Sequence, residues 1–80
     1  MKLPRNLSGQ ELIKSLQKIG YEVSRQKGSH IRLSCTYPKV HHITIPNHNP
    51  IKIGTLSAIL NDIAISRDQT KDELTSQIFG

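Results

Sequence analysis

Gly28-Ser29-His30-Ile31-Arg32-Leu33-Ser34-Cys35 is the stretch that decides the fold. Gly28-Ser29 signals a tight turn. From His30 onward apolar and polar residues alternate, the period-2 pattern of a half-buried strand. Ile31, Leu33, Cys35 and Tyr37 are expected to face the core, leaving His30, Arg32 and Ser34 on the opposite, wet face. A strand of this kind holds an imidazole beside a guanidinium on rigid backbone, an arrangement suited to a phosphodiester. The plain alternative is an exposed histidine at the start of a strand, with no chemistry. The surrounding sequence weighs between the two.

Two further strands flank this one. Tyr21 to Lys27 reads as a strand with Tyr21 and Val23 inward, and the central strand runs from His30 to about Tyr37. Pro38-Lys39 marks a turn. His41 to Ile45 is the third strand, with Ile43 and Ile45 inward, His42 and Thr44 outward, and Pro46 as its end. Short turns between three strands predict an antiparallel meander. Within the first strand Arg25 and Lys27 would share the face of Val23. A bulge near Gly28, or departure of the strand from the core, would resolve that conflict.

Helices are expected on either side of the sheet in sequence. Ser8-Gly9-Gln10-Glu11 reads as a capping box, with Leu7 and Leu12 in the positions of a hydrophobic staple. Leu12, Ile13, Leu16 and Ile19 form an apolar stripe, Lys14 and Lys18 lie together on another face, and Gly20 is a natural stop. After the third strand Asn49 can cap a helix with Pro50 at its first position. Ile53, Leu56, Leu60 and Ile63 then make a second stripe, flanked by Ile59. Ser66-Arg67-Asp68-Gln69 reads as another capping box, opening a last helix whose thin apolar face is mainly Leu74 and Ile78, with Phe79 just after. The predicted order is α-β-β-β-α-α, a two-layer α+β domain over residues 1–80 with helices on one face of a three-stranded antiparallel sheet.

Charge and composition narrow the function. The chain has 80 residues, 35% of them hydrophobic and 4% aromatic, so the core is expected to be aliphatic. Residues 1–60 carry nine Lys/Arg against two acidic residues, a net +7, whereas residues 61–80 carry two against four, a net −2. A basic body favours a polyanionic partner such as nucleic acid, although solubility alone would also account for it. So few aromatic rings argue against single-strand binding by base stacking. One cysteine cannot form an internal disulfide. With no apolar run of signal-peptide length and nothing near the ~20 apolar residues of a membrane span, a cytoplasmic protein without a membrane partner is the expectation.

Several strings together resemble the HicA (YcfA-like) family of small bacterial toxins. They are Leu7-Ser8-Gly9, Leu16 to Gly20-Tyr21, Arg25-Gln26-Lys27-Gly28-Ser29-His30, Ile45-Pro46-Asn47-His48, Lys52-Ile53-Gly54-Thr55-Leu56, Ile59-Leu60 and Ile65-Ser66-Arg67. They span residues 7–67 in the family's order. Each is weak alone, and the set is specific. The resemblance implies a fold like a double-stranded-RNA-binding domain, and an mRNA interferase that needs no cofactor and is silenced by a HicB-like antitoxin. It places His30 on the catalytic histidine, Gly28 and Ser29 on the turn presenting it, and His48 on a histidine common in the Pro-x-His loop. Many members have a second His or an aromatic after the catalytic His. Ile31 departs from that pattern and is read here as a core residue.

The chemistry can also be argued from the residues. Metal-free RNA cleavage needs a base for the ribose 2′-OH, positive charge for the phosphorane and a proton for the leaving oxygen. Histidine titrates near neutrality and can serve as base or acid. Arg32, two residues on and on the same face, can hold phosphate. Lys52 and Gly54 resemble helix-start residues that contact RNA phosphate, and Lys27 precedes the turn. Glu11 and Glu22 are the only acidic residues before position 62, so no carboxylate pair is at hand for two metals.

Competing sites are weaker. His41, His42, His48 and Cys35 match no zinc spacing. A Cys-His nucleophile is disfavoured by opposite faces, and Ser29 lacks an acidic orienter. His41 and His42 read as strand-edge residues, with His42 facing the groove near His30. Two function classes remain, a ribonuclease toxin using His30 and a non-catalytic RNA-binding module of the same fold. Growth arrest on expression, relieved by His30→Ala, separates them. An acidic antitoxin surface would suit the His30 face, with Leu74 and Ile78 as a second contact.

Overall fold

The first helix starts and stops where its end signals require. The computed structural model describes residues 3–80. In α1 (Gly9–Gln17) the Ser8 hydroxyl accepts from Glu11 N at 3.1 Å, and the Glu11 carboxylate accepts from Ser8 N at 3.0 Å. The hydrogen bond from Ser8 N holds the Glu11 carboxyl below its usual range. At the other end Tyr21 N donates to Leu16 O and Gly20 N to Gln17 O, both at 3.2 Å. This closure needs the left-handed residue between, and Gly20 supplies it with φ +100°.

The chain then builds one antiparallel sheet from β1 (Glu22–Lys27), β2 (His30–Cys35) and β3 (His41–Pro46), in that order across the sheet. Ile31, Leu33, Cys35 and Ile45 are buried on the helix side, with Ile43 partly covered. The conflict within β1 is resolved by a bulge, located not near Gly28 but between Val23 and Arg25. Val23 pairs with Leu33, whereas Arg25 pairs with Arg32 and Lys27 with His30. Paired residues point to the same side, so the extra residue moves both cations to the open face. Val23 stays on the helix side, but at the sheet edge it is 49% exposed rather than inward. Tyr37 also departs from expectation at 71% exposed, because ladder pairing ends at Cys35 and His41, before the chain reaches it.

The second helix begins later than Asn49-Pro50 suggests. It is α2 (Ile53–Ser66), with Lys52 in extended conformation as its N-cap and no side chain capping it. Residues 47–51 instead dock against the start of α1, where Ile51 N donates to Leu7 O at 2.8 Å and Ile51 itself is buried. Ile53 in the first turn is therefore half exposed, and the buried stripe is Leu56, Ile59, Leu60, Ile63 and Ala64.

Ser66-Arg67-Asp68-Gln69 ends this helix instead of starting the next. Asp68 takes a left-handed φ of +53°, Asp68 N donates to Ile65 O and Gln69 N to Ala64 O, the pattern of a helix C-terminus. The capping box of α3 (Lys71–Phe79) is Thr70 with Glu73. Its Leu74 and Ile78 are not spare surface: both are buried with α1 and α2 in the same core cluster. No described helix is long and apolar enough to cross a membrane.

Because Leu74 is fully buried, Leu74→Ala should lower unfolding free energy by about 2–5 kcal/mol. Replacing Ile65, 66% exposed, by Ser should change it by less than about 0.5 kcal/mol. Urea denaturation followed by circular dichroism checks both. Similar small effects would mean that α3 lies outside the cooperative core.

Candidate active site

The open sheet face carries the residues that β2 turns away from the helices. His30 is exposed there, and Arg32 and Ser34 are half-buried. Gly28 has φ +59° in the two-residue turn between β1 and β2, a conformation that favours glycine and sets His30 at the start of β2. Lys27 lies opposite His30, and Arg25 opposite Arg32. Three cations and one imidazole thus occupy adjoining rows. Glu22, the acidic residue of β1, sits at the other end, opposite Ser34.

His30 also faces a cleft of about 360 Å³, lined by His30, Thr44, Pro46, His48, Ile51, Lys52 and Thr55. It lies where β2 and β3 meet the 47–52 segment and the first turn of α2. Its volume falls within the roughly 300–1,000 Å³ of small-ligand pockets. His30, His48 and Lys52 meet here. Gly28, Ser29, Lys27 and Arg32 do not line the cleft and belong to the turn and the sheet face beside it.

Backbone hydrogen bonds fix the two histidine-bearing segments together. Asn47 N donates to Ser29 O at 2.7 Å, joining the residues immediately before His48 and His30. His48 N donates back to Pro46 O at 2.9 Å, a three-residue turn that ends β3. His48 O accepts from Gly9 N at 2.9 Å, and the Gln10 amide donates to Asn47 Oδ1 at 3.3 Å. The first turn of α1 therefore holds this loop. The approach is close enough to demand glycine: a Cβ on Gly9 would lie 2.5 Å from Pro46 O and 3.0 Å from Asn47 Cα. The sequence offers Gly9 only as the residue after a helix cap, so its part in the site was not legible. Thr44 and Thr55 were missed too, because neither belongs to a recognisable pattern.

The other histidines take different partners. His42 is on the open face but pairs with Ser34, not His30. Four residues along β2 separate the two rows, roughly 13 Å, so the expected approach of His42 to His30 does not occur. Ser34 Oγ lies 2.7 Å from His42 Nδ1 and donates to Ser24 Oγ at 2.9 Å, and Ser24 Oγ donates to Arg32 O at 3.2 Å. His41 is structural. Its Nδ1 lies 2.7 Å from the Tyr21 hydroxyl and its Nε2 3.7 Å from Asp62 Oδ1. The carboxylate favours a proton on Nε2, leaving Nδ1 to accept from Tyr21. Burial raises the Tyr21 pKa and keeps its phenol protonated. Among the described residues no three His, Cys, Asp or Glu side chains converge.

A model of the family described as the HicA toxin of bacterial toxin–antitoxin systems matches residues 9–65, well over half of the chain. That range contains Gly9, His30, His48, Lys52 and Thr55, and leaves out α3. Comparison with curated proteins and with solved structures gives no match.

Gly9→Ala should displace the Pro46–His48 turn and destabilise the domain by about 1–3 kcal/mol. Thermal unfolding and the His48 amide and ring resonances check this. Unchanged His48 resonances with native stability would show that the close approach of α1 does not position the loop.

Proposed function

The chain belongs to the HicA toxin family, and on that footing we propose that it is an endoribonuclease in which His30 handles a proton at the scissile phosphate. The observation that carries this reading is the place of His30: exposed, at the mouth of a cleft shared with Lys52, and beside the basic face of the sheet.

Phosphodiester cleavage by the neighbouring 2′-OH joins the 2′ oxygen to phosphorus and breaks the bond to the 5′ oxygen. A proton must leave the first oxygen and another must reach the second. An imidazole can perform either transfer near neutral pH. Charge gathers on the non-bridging oxygens, and Lys52, which lines the same cleft as His30, is the cation assigned to it. The N-terminus of α2, which has no side-chain cap and no acidic residue in its first turn, adds partial positive charge on the same side. Arg25, Lys27 and Arg32 favour the chain's other phosphates along the open face. The expected products are a 2′,3′-cyclic phosphate and a 5′-hydroxyl. DNA lacks the attacking group. Every step is a proton or phosphoryl transfer that these side chains can support without a metal or cofactor.

Membership of this toxin family implies a partner that restrains the toxin. A HicB-like antitoxin with an acidic surface over the His30 face would block RNA by steric cover, and inhibition would weaken with salt. Burial of Leu74 and Ile78 removes α3's apolar face as a second contact, which leaves the basic sheet face as the surface proposed for this partner.

The pure protein should cleave RNA in EDTA and leave DNA of the same sequence intact, and His30→Ala should lose about 10²–10⁴-fold in rate. Gel analysis of end groups should find 2′,3′-cyclic phosphates. RNA binding without cleavage by the unmodified protein would identify a non-catalytic binding module. Loss of cleavage in EDTA would overturn the metal-independent mechanism.

A further inference from the structure

Cleavage by a neighbouring 2′-OH requires two proton transfers on opposite sides of phosphorus, because the attacking and leaving oxygens stand in line. His30 supplies one. We propose that His48 supplies the other, so that the two imidazoles work as an acid–base pair across the cleft. The inference rests on the ribonuclease reading of the preceding subsection.

Three observations converge on His48. It lines the same cleft as His30, from the loop wall rather than the sheet wall. Its side chain is exposed, and the hydrogen bonds that hold residue 48 use backbone atoms, His48 O from Gly9 and His48 N to Pro46. The backbone at residue 48 is thus held in place, and the ring it carries is not needed to hold the fold. The segment is also tied to His30 at the nearest point, since Asn47 N donates to Ser29 O.

The remaining cleft residues exclude themselves. Thr44 and Thr55 hydroxyls are poor acids and bases near neutrality, Ile51 and Pro46 have no side-chain proton to exchange, and the single amine, on Lys52, is already assigned to the phosphate charge. Among the described residues no carboxylate lines the cleft. His48 is left as the second group of a type that both gives and takes a proton near pH 7.

The balance closes without another reactant. One imidazole removes the 2′-OH proton and becomes imidazolium as the 2′ oxygen bonds phosphorus. The other, starting as imidazolium, gives its proton to the 5′ oxygen as that bond breaks. If water then opens the cyclic phosphate, the roles reverse and both rings return to their starting states.

The test compares an ordinary oligoribonucleotide with one in which the leaving group is 4-nitrophenolate, a departing oxygen that needs no proton. His30→Asn, His48→Asn and the unmodified protein are assayed on both across pH, with one-dimensional NMR to confirm folding. On ordinary RNA, His48→Asn should lose about 10²–10⁴-fold and the bell-shaped profile should lose one limb. On the activated substrate one of the two variants, the one lacking the acid, should recover most of its rate, and the other should not. Three outcomes would overturn the pair. His48→Asn could keep its rate within roughly tenfold. It could lose rate equally on both substrates while keeping both pH limbs, the mark of binding or positioning. The two variants could also respond alike to the activated leaving group. If His30→Asn retains full activity on ordinary RNA, the ribonuclease site itself is misplaced, a failure distinct from that of the pair.

Discussion

One backbone hydrogen bond, from Asn47 N to Ser29 O, is the constraint on which the site depends. It extends the β2–β3 ladder one step beyond Pro46, into the residues that precede the two histidines. The loop beyond it then has to leave the sheet, and α1 catches it. Gly9 permits backbone contact at the loop, and Leu7 O accepts from Ile51 N. Burial of Ile51 locks the segment down and delivers Lys52 and the N-terminus of α2 to the cleft rim. A cleft lined by β2, β3, the 47–52 segment and the first turn of α2 is thereby placed by backbone geometry, which leaves its polar side chains free to act.

A single inserted residue in β1 sets the electrostatics. Without the bulge after Val23, Arg25 and Lys27 would lie on the helix side of the sheet edge, against apolar neighbours and away from Arg32 and His30. The bulge puts them beside Arg32 and His30 instead. Two of the four acidic residues of the C-terminal part, Asp72 and Glu73, lie elsewhere, in α3, with Leu74 and Ile78 in the core and Glu73 closing its own helix start. The Glu73 carboxyl is held low chiefly by the hydrogen bond from Thr70 N. The resulting charge separation gives an open basic face on one layer and keeps the acidic residues of α3 in the other.

The central strand, the first capping box, the Gly20 stop and the inward set Ile31, Leu33, Cys35 and Ile45 were legible because each is a local or period-2 signal. The bulge position was not, since a bulge is a compromise between both strands and the sequence shows only the conflict it resolves. Asn49-Pro50 and Ser66–Gln69 both satisfy helix-start chemistry, yet tertiary contacts spend the first on loop docking and a left-handed Asp68 makes the second a helix end. Of the candidate site, His30, His48 and Lys52 stood out in the sequence as residue types in matching strings, and the structure shows that they line one cleft. Their convergence was not legible, nor was the role of Gly9, because both depend on contacts between residues far apart in the chain.

The most direct measurement of the central claim is the NMR response to an RNA oligomer made uncleavable by 2′-deoxy substitution at the cut position. Ring and amide resonances of His30 and His48 should shift together, with Lys52 and Thr55, while those of Ser24 and His42 at the far end of the face remain nearly still. Shifts centred on the Ser24–Ser34–His42 network, with His30 and His48 unmoved, would contradict the account and place the RNA phosphate away from the cleft.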